Sequence, residues 1–212
     1  MKIESIEIKN GGYVTCKSGF YTVLDVLDHE RKGYKFKLGT NVLTGDIDSG
    51  IWAVSYYLSM YTQDTKKFIA LNNHEVVVNG NVMDITEFSK YSCYLDEENS
   101  LFKSQKSAKK LIASGLKKSG LNYTVEEIKE LFELSDARFN RPIKQYGNER
   151  FLAMGAVAYA NGKQVFCFPW YSEERFNSFH LYPIELIKKL KSLNTITILP
   201  ISNDKTLKKH NI

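Results

Sequence analysis

Alternating and continuous apolar positions divide the chain into a β-rich start, a helical middle and a strand–helix–strand end. Residues 3–8 read Ile-Glu-Ser-Ile-Glu-Ile, the period-two pattern of a half-buried strand, and Gly11-Gly12 supplies the turn that closes it. Residues 21–26 and 34–38 are two further strand candidates around a polar turn containing Gly33. A short β-prone run at 41–44 enters a glycine-flanked loop, and residues 53–61 leave that loop as a helix apolar enough to be buried. Residues 74–82 form a β-run interrupted by Asn79-Gly80, the strongest short-range hairpin signal in the chain. A short polar helix at 85–90 then feeds a buried strand at 91–95.

From Ser104 to about Arg138 the composition turns to helix formers and lysine. Thr124 with Glu127 three residues on makes a capping box ahead of Ile128, Leu131 and Phe132, and Glu126 and Glu127 suit the positive end of a helix. The basic residues Lys103, Lys106, Lys109, Lys110, Lys117 and Lys118 read as a solvated helix face. Residues 148–160, rich in Ala, Met and Leu, form a helix that Gly162 ends. The run 164–168 is apolar without alternation, which suits a central parallel strand covered on both faces. A helix at 184–193 and a strand at 195–199 complete a crossover unit, so the expected class is α/β with a parallel sheet. The lysine-rich tail after Asp204 reads as exposed and loosely ordered.

With 212 residues, 43% of them hydrophobic, the chain can bury one large core, or a core and a small subdomain. The longest nearly apolar run, at 51–60, is too short to span a bilayer, and the charged start is no signal peptide; a soluble, cytoplasmic protein is expected. Cys16, Cys93 and Cys167 are odd in number and flanked by apolar residues, and His29, His74, His180 and His210 lack ligand spacing, so neither disulfides nor a metal site is expected. A net charge of +5, without a concentrated basic patch, gives no case for nucleic acid.

The candidate chemistry centres on Gly45-Asp46-Ile47-Asp48-Ser49-Gly50-Ile51-Trp52. Its two glycines have the spacing of a phosphate-binding loop, G-x-x-x-x-G-K-[ST], between a strand and a helix. Ile51 stands where that loop needs its lysine, and Trp52 where it needs the hydroxyl for Mg²⁺. Asp46 and Asp48 add negative charge beside the phosphate position.

Four later segments follow in the order and spacing of one family. Residues 94–102 give an aromatic-led strand, then Glu97, then Leu101-Phe102; residues 142–150 contain Gln145-Tyr146-Gly147-Asn148-Glu149-Arg150; the strand at 165–168 runs into Pro169-Trp170; and residues 199–204 end in Asn203-Asp204. Together with the loop these resemble the ATP-binding cassette of ABC transporters over nearly the whole chain. The resemblance implies a P-loop NTPase-like three-layer α/β core with an N-terminal antiparallel β layer, residues 1–99 and 141–212, and an inserted α-helical subdomain, residues 100–140. It implies that Glu97 replaces the Q-loop Gln, and that Gln145, Tyr146, Gly147, Asn148 and Glu149 stand in the signature segment. Pro169 and Trp170 then replace the Walker B Asp-Glu, and Asn203 the switch His.

Phosphoryl transfer depends on charge neutralisation and on a positioned water. With the Lys, hydroxyl, carboxylate pair, Gln and His all replaced, the expectation is a pseudo-ATPase that uses no cofactor and does not bind Mg-ATP tightly. It would act as structural or regulatory partner of a competent cassette subunit, of a membrane permease, or of a second copy of itself, and so lie on the cytoplasmic face of the membrane. A second expectation is a binding module whose vacated cleft is lined by Trp52, Tyr146 and Trp170. A third, a weak ATPase, needs a substitute lysine in the loop region, and no good candidate stands closer than Lys66. Tyr13 or Tyr21 is the candidate for stacking on adenine, and Glu149 is read as a helix-cap or dipole residue.

Overall fold

The computed structural model describes residues 1–9, 13–14, 24–25, 34–49, 51–59, 75–179, 182–210 and 212. The alternating N-terminal segment becomes strand β1 (Ser5–Lys9), with Ile6 and Ile8 buried. Short strands β2 (Tyr13–Val14) and β3 (Leu24–Asp25) pair with each other, and β4 (Tyr34–Lys37) runs antiparallel to β1 with Ile6 opposite Phe36. The rest of the expected strand at 21–26 lies outside the described residues. Strand β5 (Gly39–Thr44) leads through the glycine-flanked loop into helix α1 (Trp52–Ser59).

The Asn-Gly hairpin forms as expected between β6 (Glu75–Val78) and β7 (Asn81–Met83). Asn79 and Gly80 both take positive φ, 50° and 85°, as the tightest hairpin turn requires. The Asn79 side chain does a second job: its oxygen accepts from the Glu4 and Ser5 N–H groups, and its amide donates to the Lys2 carbonyl. The result is an antiparallel sheet ordered β4-β1-β6-β7.

Helix α2 (Ile85–Phe88), capped by Asp84, precedes β8 (Ser92–Tyr94). Helices α3 (Ala108–Ser119), α4 (Val125–Leu131) and α5 (Asp136–Phe139) make up the lysine-rich middle. Both halves of the capping box are present at α4, with Glu127 N–H donating to Thr124 Oγ1 at 3.1 Å and Thr124 N–H to Glu127 Oε2 at 2.7 Å. Helix α6 (Arg150–Ala160) is buried along nearly its whole length. Gly162 ends it at φ 78°: its N–H donates to the Tyr159 carbonyl and that of Lys163 to the Ala158 carbonyl, a pairing that needs a residue free to adopt the left-handed region.

Strand β9 (Val165–Cys167) is central, between β10 (Ile196–Ile201) and β8, in a parallel sheet ordered β5-β10-β9-β8. Its lack of alternation has the expected cause. Val165 and Cys167 face one apolar core, shared with the antiparallel sheet and α1, while Phe166 and Phe168 face a second, built from α3, α4, α6 and α8 (Tyr182–Ser192).

Two elements differ from expectation. Ser172 caps an unanticipated helix, α7 (Glu173–Ser178), accepting from the Arg175 N–H, with Glu173 and Glu174 in its first turn. The tail after Asp204 is helical, α9 (Lys205–Lys209), because Leu207 inserts into the second core, where it is 1% exposed. One buried leucine anchors a segment whose composition reads as solvated.

Candidate functional site

The loop after β5 closes upon itself. Asp46 carbonyl accepts both the Ser49 N–H at 3.0 Å and the Ser49 hydroxyl at 2.5 Å, winding Ile47–Ser49 into a single tight turn. The Ser49 hydroxyl so fills the space beside Gly45 that a Cβ at position 45 would lie 2.6 Å from it. Ile51 folds back against the same glycine, its Cδ1 3.4 Å from that Cβ position, and is 6% exposed. Trp52 opens α1 and packs into the first core, edge-on to Tyr56 with ring centroids 5.3 Å apart. Gly50, Tyr21 and Lys66, and the side chains of Asp48 and Tyr13, lie outside what is described.

Across the loop stands the exit of β9. Trp170 donates its indole N–H to the Gly45 carbonyl at 3.0 Å, tying the first glycine of the loop to the position after Pro169. Asn203, at the end of β10, donates to Glu173 Oε2 at 2.7 Å and accepts from the Lys205 N–H, so it serves the starts of α7 and α9.

Glu97, just past β8, pairs with Arg150 at 3.6 Å. Its neighbour Glu98 takes Lys103 at 2.8 Å and Lys144 at 3.2 Å, and hydrogen bonds from those two lysines hold the Glu98 carboxyl below the usual carboxylate range. The stretch after β8 is thereby stitched to residues 144–150.

That second stretch breaks into two single turns, Ile143–Gln145 and Gly147–Glu149, before α6 begins. Gln145 is exposed and Asn148 half-buried. Glu149 is 8% exposed but makes no cap on its own helix, which corrects the cap reading. Its carboxylate instead accepts the Ser135 N–H at 2.8 Å, the Ser135 hydroxyl at 3.2 Å and Arg138 at 3.0 Å. Arg138 also donates to the Tyr146 carbonyl, so one buried carboxylate clamps the start of α5 to the start of α6.

Between the loop, α1, the exits of β8 and β9, and the first turns of α6 and α7 lies a cavity of about 370 Å³. Its position outside the carboxyl ends of parallel strands is where open α/β sheets bind ligands. Trp52 and Trp170 both line it. Tyr146 does not: its ring is wholly buried in the second core, because the turn before Gly147 points it into the helical layer, so two of the three expected aromatics converge. The others were missed. Tyr56, Tyr94, Phe151, Tyr171 and Phe179 come from α1, β8, α6 and the segments on either side of α7, and no local pattern marks them as neighbours. Burial pushes the phenols of Tyr94 and Tyr171 up.

No family model and no curated protein matches the chain. Solved structures do match its fold. A putative ABC transporter ATP-binding protein from Pyrococcus furiosus is similar at TM-score 0.60 and 18% identity, over 92% of this chain and 90% of that one. The ATP-binding cassette MJ0796, a dimer bound to ADP and Pi, is similar at TM-score 0.60 and 14% identity, over 95% and 89%. A bacterial Atm1-family ABC exporter with ATP bound is similar at TM-score 0.59 and 12% identity, over 97% of this chain but 35% of the exporter. The chain therefore has the P-loop NTPase-like fold of an ATP-binding cassette.

Proposed function

We propose that this is a cassette-fold subunit without ATPase chemistry, which serves as scaffold or regulator for a competent cassette subunit, a membrane permease, or both. The observation that carries the reading is the state of the loop. Ile51 lies against Gly45, Trp52 is in the core, and Trp170 holds the Gly45 carbonyl. A phosphate chain needs free backbone N–H groups and a cation there, and Mg²⁺ needs hydroxyl and carboxylate ligands. The side chains of Ile51, Trp52 and Trp170 supply neither a cation nor an oxygen ligand for Mg²⁺, so Mg-ATP does not fit this donor set.

The partner side of the proposal draws on the fold. The surface beside Glu97 and residues 100–140 is the docking face in this reading, with Glu98, Lys103 and Lys144 as its charged rim. Among the described residues no helix is long and apolar enough to cross a membrane, which leaves any membrane contact to the partner.

Calorimetric titration of the purified protein with Mg-ATP, and with ATP alone, tests this directly. No heat and no thermal stabilisation up to millimolar nucleotide is the expected result, after which co-purification identifies the partner. Micromolar binding, or any turnover above background, overturns the proposal. The cavity, lined by Trp52 and Trp170, favours a second reading, a binding module that takes a ligand in this cleft.

A further inference from the structure

Two groups of touching rings wall the cavity beside the loop. Trp52 meets Tyr56 with centroids 5.3 Å apart, and Tyr56 meets Tyr94 at 4.8 Å, joining α1 to the exit of β8. Phe179 meets Phe151 at 4.9 Å and Tyr171 at 5.6 Å, joining α6 to the two flanks of α7. The charged lining has two groups of each sign, Asp96 and Glu97 with Arg150 and Arg175, so it favours neither an anion nor a cation. Both guanidiniums lie beside rings of the second group: Arg150 is 5.7 Å from the Phe151 centroid and 5.9 Å from that of Phe179, and Arg175 is 5.9 Å from that of Tyr171. The Tyr94 and Tyr56 side chains share a hydrogen bond.

We infer that this cavity binds an uncharged, flat aromatic molecule, in contact with both groups of rings. The volume, about 370 Å³, falls within the roughly 300–1,000 Å³ typical of small-molecule pockets. An ionised ligand of either sign meets as many like charges as opposite ones, and it gives up hydration that rings do not replace. A neutral ring loses no ionic hydration. Rings that come from separate elements also take an aromatic guest edge-on or offset, a contact worth more than its apolar area alone. The inference deepens the binding-module reading of this cleft and rests on it.

The chain's two tryptophans, Trp52 and Trp170, both line the cavity, so tryptophan emission reports its occupancy. The probes are 2-phenylethanol, the anion phenylacetate, the cation phenethylamine and the saturated alcohol 2-cyclohexylethanol, with excitation at the red edge where benzene rings do not absorb. A saturable change with 2-phenylethanol is expected, and each ion should bind about tenfold more weakly, the scale of a partly lost ionic hydration. The saturated alcohol should also bind more weakly, by about threefold, although it is the more apolar of the two. Phe179→Leu removes one ring and keeps an apolar side chain there. It should weaken 2-phenylethanol about threefold and leave 2-cyclohexylethanol unchanged. Binding of either ion as tight as that of 2-phenylethanol, tighter binding of the saturated alcohol, or no saturable change each overturns the inference. So does a preference for the aromatic alcohol that F179L leaves intact. Should that variant fail to fold, the ranking of the four probes on the native chain decides alone. Micromolar binding of Mg-ATP overturns the pseudo-ATPase reading, whereas silence toward 2-phenylethanol with no nucleotide binding overturns only the aromatic site.

Discussion

Glu149 and Arg150 are neighbours in sequence, and each belongs to an arginine–carboxylate pair, yet the two pairs do opposite work. Glu149 with Arg138 is the tighter, at 3.0 Å with the carboxylate side chain 10% exposed and two further donors from Ser135. Arg150 with Glu97 is the looser, at 3.6 Å with side chains 28% and 38% exposed. The buried carboxylate has its lone pairs satisfied by fixed donors and holds two helix starts together. The open pair sits at the rim of a cavity in high dielectric, where a contact of this kind contributes little to stability and is free to rearrange toward a ligand. Exposure, more than residue type, decides which pair is structural.

Breaking the tight pair should have the largest effect. Glu149→Ala leaves the Ser135 N–H and Arg138 without their acceptor in a nearly closed site, and about 2–3 kcal/mol of unfolding free energy should be lost in urea denaturation. Glu97→Gln should change stability by less than about 0.5 kcal/mol in the same assay, because the pair is half in solvent. A loss at position 97 as large as that at 149 would break the comparison.

The smallest effect concerns pH. Lys103 and then Lys144 depress the Glu98 carboxyl, so whatever stability that cluster contributes is present above the ordinary carboxylate pKa and is lost as pH falls through the lowered one. The thermal midpoint followed from neutral to acid pH should therefore decline slightly less for Glu98→Gln than for the native chain. Because Glu98 is exposed, added salt should erase that difference. A difference that persists in high salt would place Glu98 with Glu149 instead of Glu97.

Local signals in the chain carried much of the fold. Asn79-Gly80 fixes a hairpin because few other dipeptides accept two positive φ angles in succession, and Thr124 with Glu127 fixes a helix start because the two groups cap each other. Helix α7 was legible too, in Ser172 followed by Glu173-Glu174, but six residues give the period little room to show. Helix α9 was not legible, since its reason for being ordered is the single side chain of Leu207 reaching a distant core.

The sequence by itself determined the order of the strands and of every longer helix, though not α7 or α9, together with the two-faced burial of β9 and the absence of a lysine and a hydroxyl where a phosphate-binding loop requires them. These follow from periodicity and residue chemistry, which are local properties. Only the tertiary structure decided that Ile51 folds onto Gly45, that Trp170 reaches the Gly45 carbonyl across 125 positions of sequence, and that Tyr146 faces the helical core instead of the cavity. It also decided that Arg175 arrives beside the Tyr171 ring. Where a side chain points depends on which neighbours already fill the space around it, and those neighbours are set by packing between elements far apart in the chain.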